Sequence, residues 1–276
     1  MVDPLWMRLP ELVIVIYALS ILLYFIDFVD HNRKAHSLAF RLLLIVWVLQ
    51  TIFLFMYMLY TGRFPVLTLF EGLYFYTWVL ISISLILHHI FKVDFTLFFT
   101  NLIGFIFMAI HAFAPVQLSS VSAEQLISEL MLIHITMAIL SYGAFSVSFV
   151  FSSLYLLQFK LLKEKRWQKK LWRLPDLAKL EKASFILNAI GVPMLLLSLI
   201  LGLRWAIIKL PIFHWYDPKI IGSFLLLVIY GFLLYGHAKR FLFGRNLALW
   251  NTVAFLFVLI NFFLISSLSS FHFWYS

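Results

Sequence analysis

Eight stretches of about 20 mostly apolar residues run along this chain, at 10–28, 38–60, 68–91, 95–114, 130–159, 183–203, 220–237 and 247–267. That is the length a helix needs to cross roughly 30 Å of hydrocarbon. Because a bilayer offers no water to unpaired backbone N–H and C=O groups, segments of this kind fold as helices whose backbone bonds close within each segment. The predicted fold class is an all-α polytopic membrane protein, an eight-helix transmembrane bundle forming a single integral membrane domain over 1–276. Composition agrees where it discriminates: 64% of residues are hydrophobic and 12% charged, against about 45–50% and 25% in a soluble domain. The first span follows Arg8 and is flanked by Asp3 and Glu11, with no small-residue cleavage site after it. It is expected to be a retained helix and not a signal peptide.

An even number of spans places both termini on one side. Arg8, Arg63, Arg204, Lys209 and Lys219 fall on that side, and the other sixteen of the 21 Lys and Arg on the opposite one. Cations concentrate in cytoplasmic loops, so the N-terminus and C-terminus are predicted to be outside, in a multi-pass protein of the cell (plasma) membrane. The net charge of +9 therefore reports orientation and not nucleic-acid binding. The longest inner connection, Lys160–Lys182, sets nine cations against Glu164, Asp176 and Glu181. It interleaves Leu161, Leu162, Trp167, Leu171 and Trp172 with those cations, which predicts an interfacial amphipathic helix up to Pro175. Such a stripe grips anionic headgroups or docks a cytoplasmic protein.

The chain has no cysteine, which excludes disulfides, thiolate metal sites, a Cys nucleophile and covalent haem attachment. Gly-rich phosphate loops ending in G-K-[ST], H-E-x-x-H and G-x-S-x-G are also absent, so no enzymic role is expected. Polar groups at membrane depth are costly and usually functional, which directs attention to the nine histidines. His88, His89 and His237 lie at inner span ends, whereas His134 and His272 lie at outer ones. Some 18 residues of helix separate the two levels, about 27 Å. Facing imidazoles in an aromatic bundle can ligate iron axially, and without cysteine the natural group is noncovalent haem b. His31 and His36 are expected to be solvated in the inner loop. His111 reads as a satisfied core histidine or a spare ligand, and Asn101, Asn188, Asn251 and Asn261 as bonds between helices. The outer stretch from Trp205 to Lys219 packs Phe213, His214, Trp215 and Tyr216 beside Asp217. It reads either as an interfacial aromatic belt or as a shelf for a flat macrocycle, whose polar edge Asp217 and Lys219 would meet.

Several segments, taken in order, resemble the cytochrome c assembly family of haem-handling membrane proteins, the CcsA, CcmC and CcmF types, and most closely its HemX-type branch. They are Thr68-Leu-Phe-Glu-Gly-Leu-Tyr-Phe-Tyr-Thr-Trp78, His134-Ile-Thr-Met-Ala-Ile-Leu-Ser-Tyr-Gly-Ala144, and Leu174-Pro-Asp-Leu with Gly191, Gly202 and Trp205-Ala206. Where the family's outward WWD loop reads W-x-W-D-P-K-E, this chain has His214-Trp215-Tyr216-Asp217-Pro218-Lys219-Ile220. The resemblance implies an outer haem-iron pair, His134 and His272, and an inner one, His237 with His88 or His89, with Trp205, His214, Trp215, Tyr216 and Asp217 around the haem. It implies a protein that senses or handles haem b and regulates haem biosynthesis through the level of glutamyl-tRNA reductase, a partner that would meet the basic loop 160–182. The alternative it implies is a haem transport or assembly component for cytochrome c maturation. The other expected partners are haem itself and membrane lipids, and no nucleic acid.

Overall fold

The computed structural model describes residues 8–91, 94–113, 129–164, 175–209 and 215–265. These residues form eight long helices: α1 (Leu9–Asp30), α2 (Arg33–Thr61), α3 (Leu69–Phe91), α4 (Asp94–Phe113), α5 (Glu129–Lys163), α6 (Leu177–Lys209), α7 (Pro218–Ala238) and α8 (Gly244–Leu259), the last continued by a π-helical turn, Ile260–Ile265. Eight helices are long and apolar enough to cross a membrane. The chain is thus an all-α polytopic membrane protein.

Helix boundaries follow local chemistry. Asn32 caps α2, its side-chain oxygen accepting from the N–H groups of Lys34 and Ala35 at 3.0 and 3.2 Å, as an N-cap amide does for the orphan donors of a first turn. Asp217 does the same for α7, accepting from the Lys219 N–H at 2.8 Å, with Pro218 at the first helical position. α2 ends at Gly62 with φ +66°, a left-handed conformation that costs glycine little.

Several helices, α2 among them, run past their predicted spans, and the two longest are α5 and α6. α5 and α6 run 35 and 33 residues, at ~1.5 Å per residue well beyond the hydrocarbon thickness. Lys160–Lys163 continue α5, and Leu177–Lys182 are the first turns of α6, so the predicted loop 160–182 is shorter at both ends. Charge marks where a helix leaves the bilayer, and Lys is a good helix former once outside it. The predicted interfacial helix falls largely on residues 165–174, outside the described residues.

The chain divides into two compact units, Met1–Leu118 and Ser119–Ser276. In the first, α1 packs on α2 and α4, and α3 on the same two helices. Asn101 of α4 ties this bundle together: its side-chain oxygen accepts from Tyr17 of α1 at 3.0 Å and its amide donates to Ser84 of α3 at 2.9 Å. Trp47 and Trp78 donate their indole N–H groups to Ser82 and Thr51 across the α2–α3 contact, at 2.8 and 2.9 Å.

In the second unit α6 and α8 both pack on α5 and on α7. The α5–α6 contact is antiparallel with matched steps of seven residues. Ser148 meets Ser184 (Oγ–Oγ 2.9 Å), Ser141 donates to the Gly191 carbonyl at 2.9 Å, and His134 meets the Ser198 carbonyl at 2.6 Å. A seven-residue repeat keeps one face against a partner helix as the two supercoil, and small residues let backbones approach where lipid supplies no hydrophobic drive. Asn251 of α8 joins this seam, donating to Ser148 and Ser152 at 2.9 and 2.8 Å and accepting from Asn188 at 2.9 Å. Asn261 donates to Tyr142 at 2.8 Å. The four asparagines bond between helices as expected, and outward faces such as Leu12, Val15, Leu19 and Leu22 of α1 stay exposed and apolar.

Candidate functional site

His134 lies in the second turn of α5, partly buried against α6. Its Nδ1 sits 2.6 Å from the Ser198 carbonyl, while the Ser198 hydroxyl donates to the His134 carbonyl at 2.9 Å. A carbonyl can only accept, so Nδ1 carries the proton and Nε2 the lone pair. The ring rests on Gly202, where a Cβ would lie 2.5 Å from His134 Cε1. Gly202 therefore makes room for the imidazole, and Ser198 one turn earlier fixes its tautomer. An imidazole anchored through Nδ1, with Nε2 as its lone-pair nitrogen, has the tautomer that a metal-ligating histidine requires. In its tautomer His134 fits an iron ligand.

The aromatic stretch divides by environment. Trp205, seven residues beyond Ser198, is 5% exposed, whereas Trp215 and Tyr216 are 63% and 71% exposed. Asp217 is buried and caps α7, and Lys219 donates to the Asn261 carbonyl at 2.7 Å. That carbonyl lies in the π-helical turn, whose wider ring of backbone bonds recurs at functional sites. These two charged groups thus serve helix α7 and its contact with the end of α8. His214 and His272 lie outside the described residues.

The remaining described histidines separate clearly. His89 is exposed, while His88 turns inward against Phe40 and His36, with ring centres 5.3 and 6.4 Å apart. His36, expected to be solvated, is instead partly buried, with Nδ1 3.2 Å from the Asp27 carboxylate. The two-residue turn between α1 and α2 folds the first turn of α2 back onto Asp27. In the second unit His237 packs on Phe185 at 4.4 Å and places Nε2 3.3 Å from Glu181. Glu181 also accepts from the Gly244 N–H at 3.2 Å. His111 is buried at 1% exposure, with Nδ1 2.9 Å from the Phe70 carbonyl. Its Nε2 has no hydrogen-bond partner among the described residues.

One polar cluster escaped the sequence reading. Glu71, 2% exposed, forms a bidentate pair with Arg63 at 2.8 and 2.9 Å and accepts from Tyr57 at 2.8 Å. Thr68 accepts from the Glu71 N–H at 3.2 Å, and Glu71 accepts from the Thr68 N–H at 3.3 Å. This is a reciprocal capping box. The pattern Thr68-x-x-Glu71 before an apolar run was its visible signal.

The segments around these residues match known proteins. The family model described as "Cytochrome C assembly protein" aligns with residues 66–272. The chain belongs to the cytochrome c assembly family. It is 57% identical over 277 aligned residues to Protein HemX of Bacillus subtilis (strain 168), covering 100% of both chains. It is 45% identical over 265 residues to Protein HemX of Brevibacillus brevis, covering 96% of this chain and 97% of the relative. The chain is therefore a HemX-type member of this family and a haem-related membrane protein. The family region takes in α3 to α8 and leaves out α1 and α2.

Proposed function

We propose that this protein binds haem b noncovalently and regulates haem biosynthesis, acting on the level of glutamyl-tRNA reductase and catalysing no reaction of its own. The observation that carries the haem reading is His134: a partly buried imidazole, inside the family region, whose Nδ1 is fixed by the Ser198 carbonyl at 2.6 Å. Such anchoring sets the tautomer and direction of a ligating ring before any metal arrives. When bound, haem supplies a redox-active iron centre. The chain's own residues do the rest: His134 offers Nε2, Ser198 and Gly202 hold it in place, and His272 is the partner carried by the family resemblance. At the other level His88 and His237 are the candidate ligands, with His89 the exposed alternative to His88. Trp205, His214, Trp215, Tyr216 and Asp217 belong to the outer loop proposed to receive the macrocycle.

The regulatory reading rests on the HemX-type resemblance and on the nine cations of segment 160–182. Those cations would meet a cytoplasmic enzyme at the inner face of the plasma membrane. Two states of the bundle, with and without haem, can bias that partner only through contacts that differ between them. The second reading, haem transport for cytochrome c maturation, is favoured by the family description itself.

A reduced-minus-oxidised spectrum of the purified protein tests the first step, with a Soret band expected and its absence refuting haem binding. Deleting the gene then separates the readings. Altered reductase abundance with normal covalent cytochrome c is expected, and loss of covalent cytochrome c alone would establish the transport reading. Neutralising Lys163, Lys165, Arg166, Lys169 and Lys170 should leave haem bound and abolish co-purification of the reductase. Equal recovery of the reductase from both proteins would reduce the segment to a lipid anchor.

A further inference from the structure

The family resemblance pairs His237 with His88 or His89, and the first unit holds a further imidazole beside His88 that the resemblance does not assign. Asp27 ends α1, His36 begins α2 and His88 ends α3. Three helices therefore converge at one end of a single bundle. The Asp27 side chain is 4% exposed and the His36 side chain 20%, so the 3.2 Å contact between Oδ2 and Nδ1 is shielded from water. A carboxylate accepts, which puts a proton on Nδ1 and, in the neutral ring, leaves Nε2 as the lone-pair nitrogen. Carboxylate, imidazole and metal in a row is a recurring way to orient a ligating histidine and raise its basicity.

The spacing of the rings agrees. The His36 and His88 ring centres are 6.4 Å apart. Two imidazole nitrogens each ~2.0–2.1 Å from one metal ion leave their ring centres about 6 Å apart. Tyr24 stands edge-on to His36 at 5.6 Å and Phe40 lies beside His88 at 5.3 Å, so aromatic rings border the pair. Exposed Arg33 and Lys34 occupy the first turn of α2, just before His36, and exposed Arg41 follows one turn later. That is an edge suited to carboxylates. Two neighbouring imidazoles, bordering aromatic rings and a cationic rim are the groups that would hold a planar iron macrocycle with carboxylate arms.

We infer that His36, held by Asp27, is the second axial ligand opposite His88 in the first unit, an inference that rests on the haem reading above. His36 and Asp27 lie outside the family region 66–272, so this ligand distinguishes the chain's own α1–α2 hairpin from the family's shared part. His237 stands differently. Its Nε2 is the nitrogen next to Glu181, which leaves Nδ1, the nitrogen closer to the backbone, for any metal.

The test uses the full-length protein purified in detergent, read by optical and electron paramagnetic resonance spectra of the ferric form. The wild type is expected to give a low-spin, six-coordinate signal. His36→Ala should convert that signal to high spin, and added imidazole should restore it, showing that the variant is folded with a vacated ligand position. Asp27→Asn should keep the low-spin signal and weaken haem binding roughly 10–100-fold, as loss of an orienting partner does. A Soret band whose low-spin signal survives His36→Ala in a His134→Ala background, where only the inner site can report, would overturn this assignment and leave the haem reading standing. A wild type with no Soret band would overturn both.

Discussion

Replacing Gly202 by alanine tests whether the α5–α6 seam is built around the His134 ring. The added Cβ would lie 2.5 Å from Cε1, 2.6 Å from Nδ1 and 3.1 Å from Nε2 of His134. Ordinary van der Waals contact is 3.4–4 Å, so the ring must retreat by about 1 Å. Nδ1 would then move from 2.6 Å to roughly 3.6 Å from the Ser198 carbonyl, beyond hydrogen-bonding distance. Overpacking of this kind costs about 1–3 kcal/mol, and a lost bond between helices in a membrane adds about 0.6 kcal/mol. Against this, Ala is a better helix former than Gly by up to ~1 kcal/mol. The net expectation is a destabilisation of about 2 kcal/mol. In a His134→Ala background the clash disappears, and the same substitution should be neutral or mildly stabilising. The assay is reversible unfolding in mixed micelles, following helicity across the four proteins of the double-mutant cycle. Equal cost of Gly202→Ala in both backgrounds would refute the argument, because the glycine would then serve something other than the ring.

Further outcomes follow from the same geometry. Asn251→Ala removes bonds to Ser148, Ser152 and Asn188 and should cost about 1–3 kcal/mol in the same assay, above the ~0.6 kcal/mol of one average bond between membrane helices. Arg63→Ala strands the buried Glu71 carboxylate and should cost about 3–5 kcal/mol, whereas the double variant with Glu71→Gln should cost less than Arg63→Ala alone. A double variant worse than the single one would show that the carboxylate is not the source of the penalty. A reporter fused after Ser276 should behave as external and one inserted near Lys170 as cytoplasmic, and the reverse pattern would overturn the orientation read from the cations.

The positions of the eight spans were legible because a bilayer fixes both the length and the polarity of what crosses it. Helix ends were less so, since the cations of Lys160–Lys163 and Lys179–Lys182 stop partition into lipid without stopping a helix. The reach of His134 was half legible. Ser184, Gly191 and Ser198 repeat every seven residues, as do Ser148, Ser141 and His134, so each helix advertised a close-packed face. That the two faces meet is a tertiary fact that neither repeat contains alone. His36 was misread for the same reason: a histidine two residues after Lys34 looks solvated until α2 folds back on α1 and brings Asp27 to it. Glu71 was readable as a capping box, but its ion pair with Arg63 depends on how the chain turns between Gly62 and Thr68.

The four inward-turned histidines with identified anchors divide by what holds them, and the division has an electrochemical consequence. His134 and His111 each give Nδ1 to a neutral backbone carbonyl, whereas His36 and His237 face the carboxylates Asp27 and Glu181. An anionic acceptor pulls the proton further from the ring, makes the imidazole a stronger donor and favours the higher charge on a bound iron. Iron held at the His36–His88 end should therefore be reduced at a lower potential than iron held at His134. If both ends fill, a spectroelectrochemical titration should resolve two components, and Asp27→Asn should raise the lower one while leaving the upper in place. Ser198→Ala provides the converse: the backbone carbonyl that anchors His134 survives the substitution, so the upper component should move little. A potential that responds to neither substitution would show that the anchors do not set it, and would confine their role to holding the helices together.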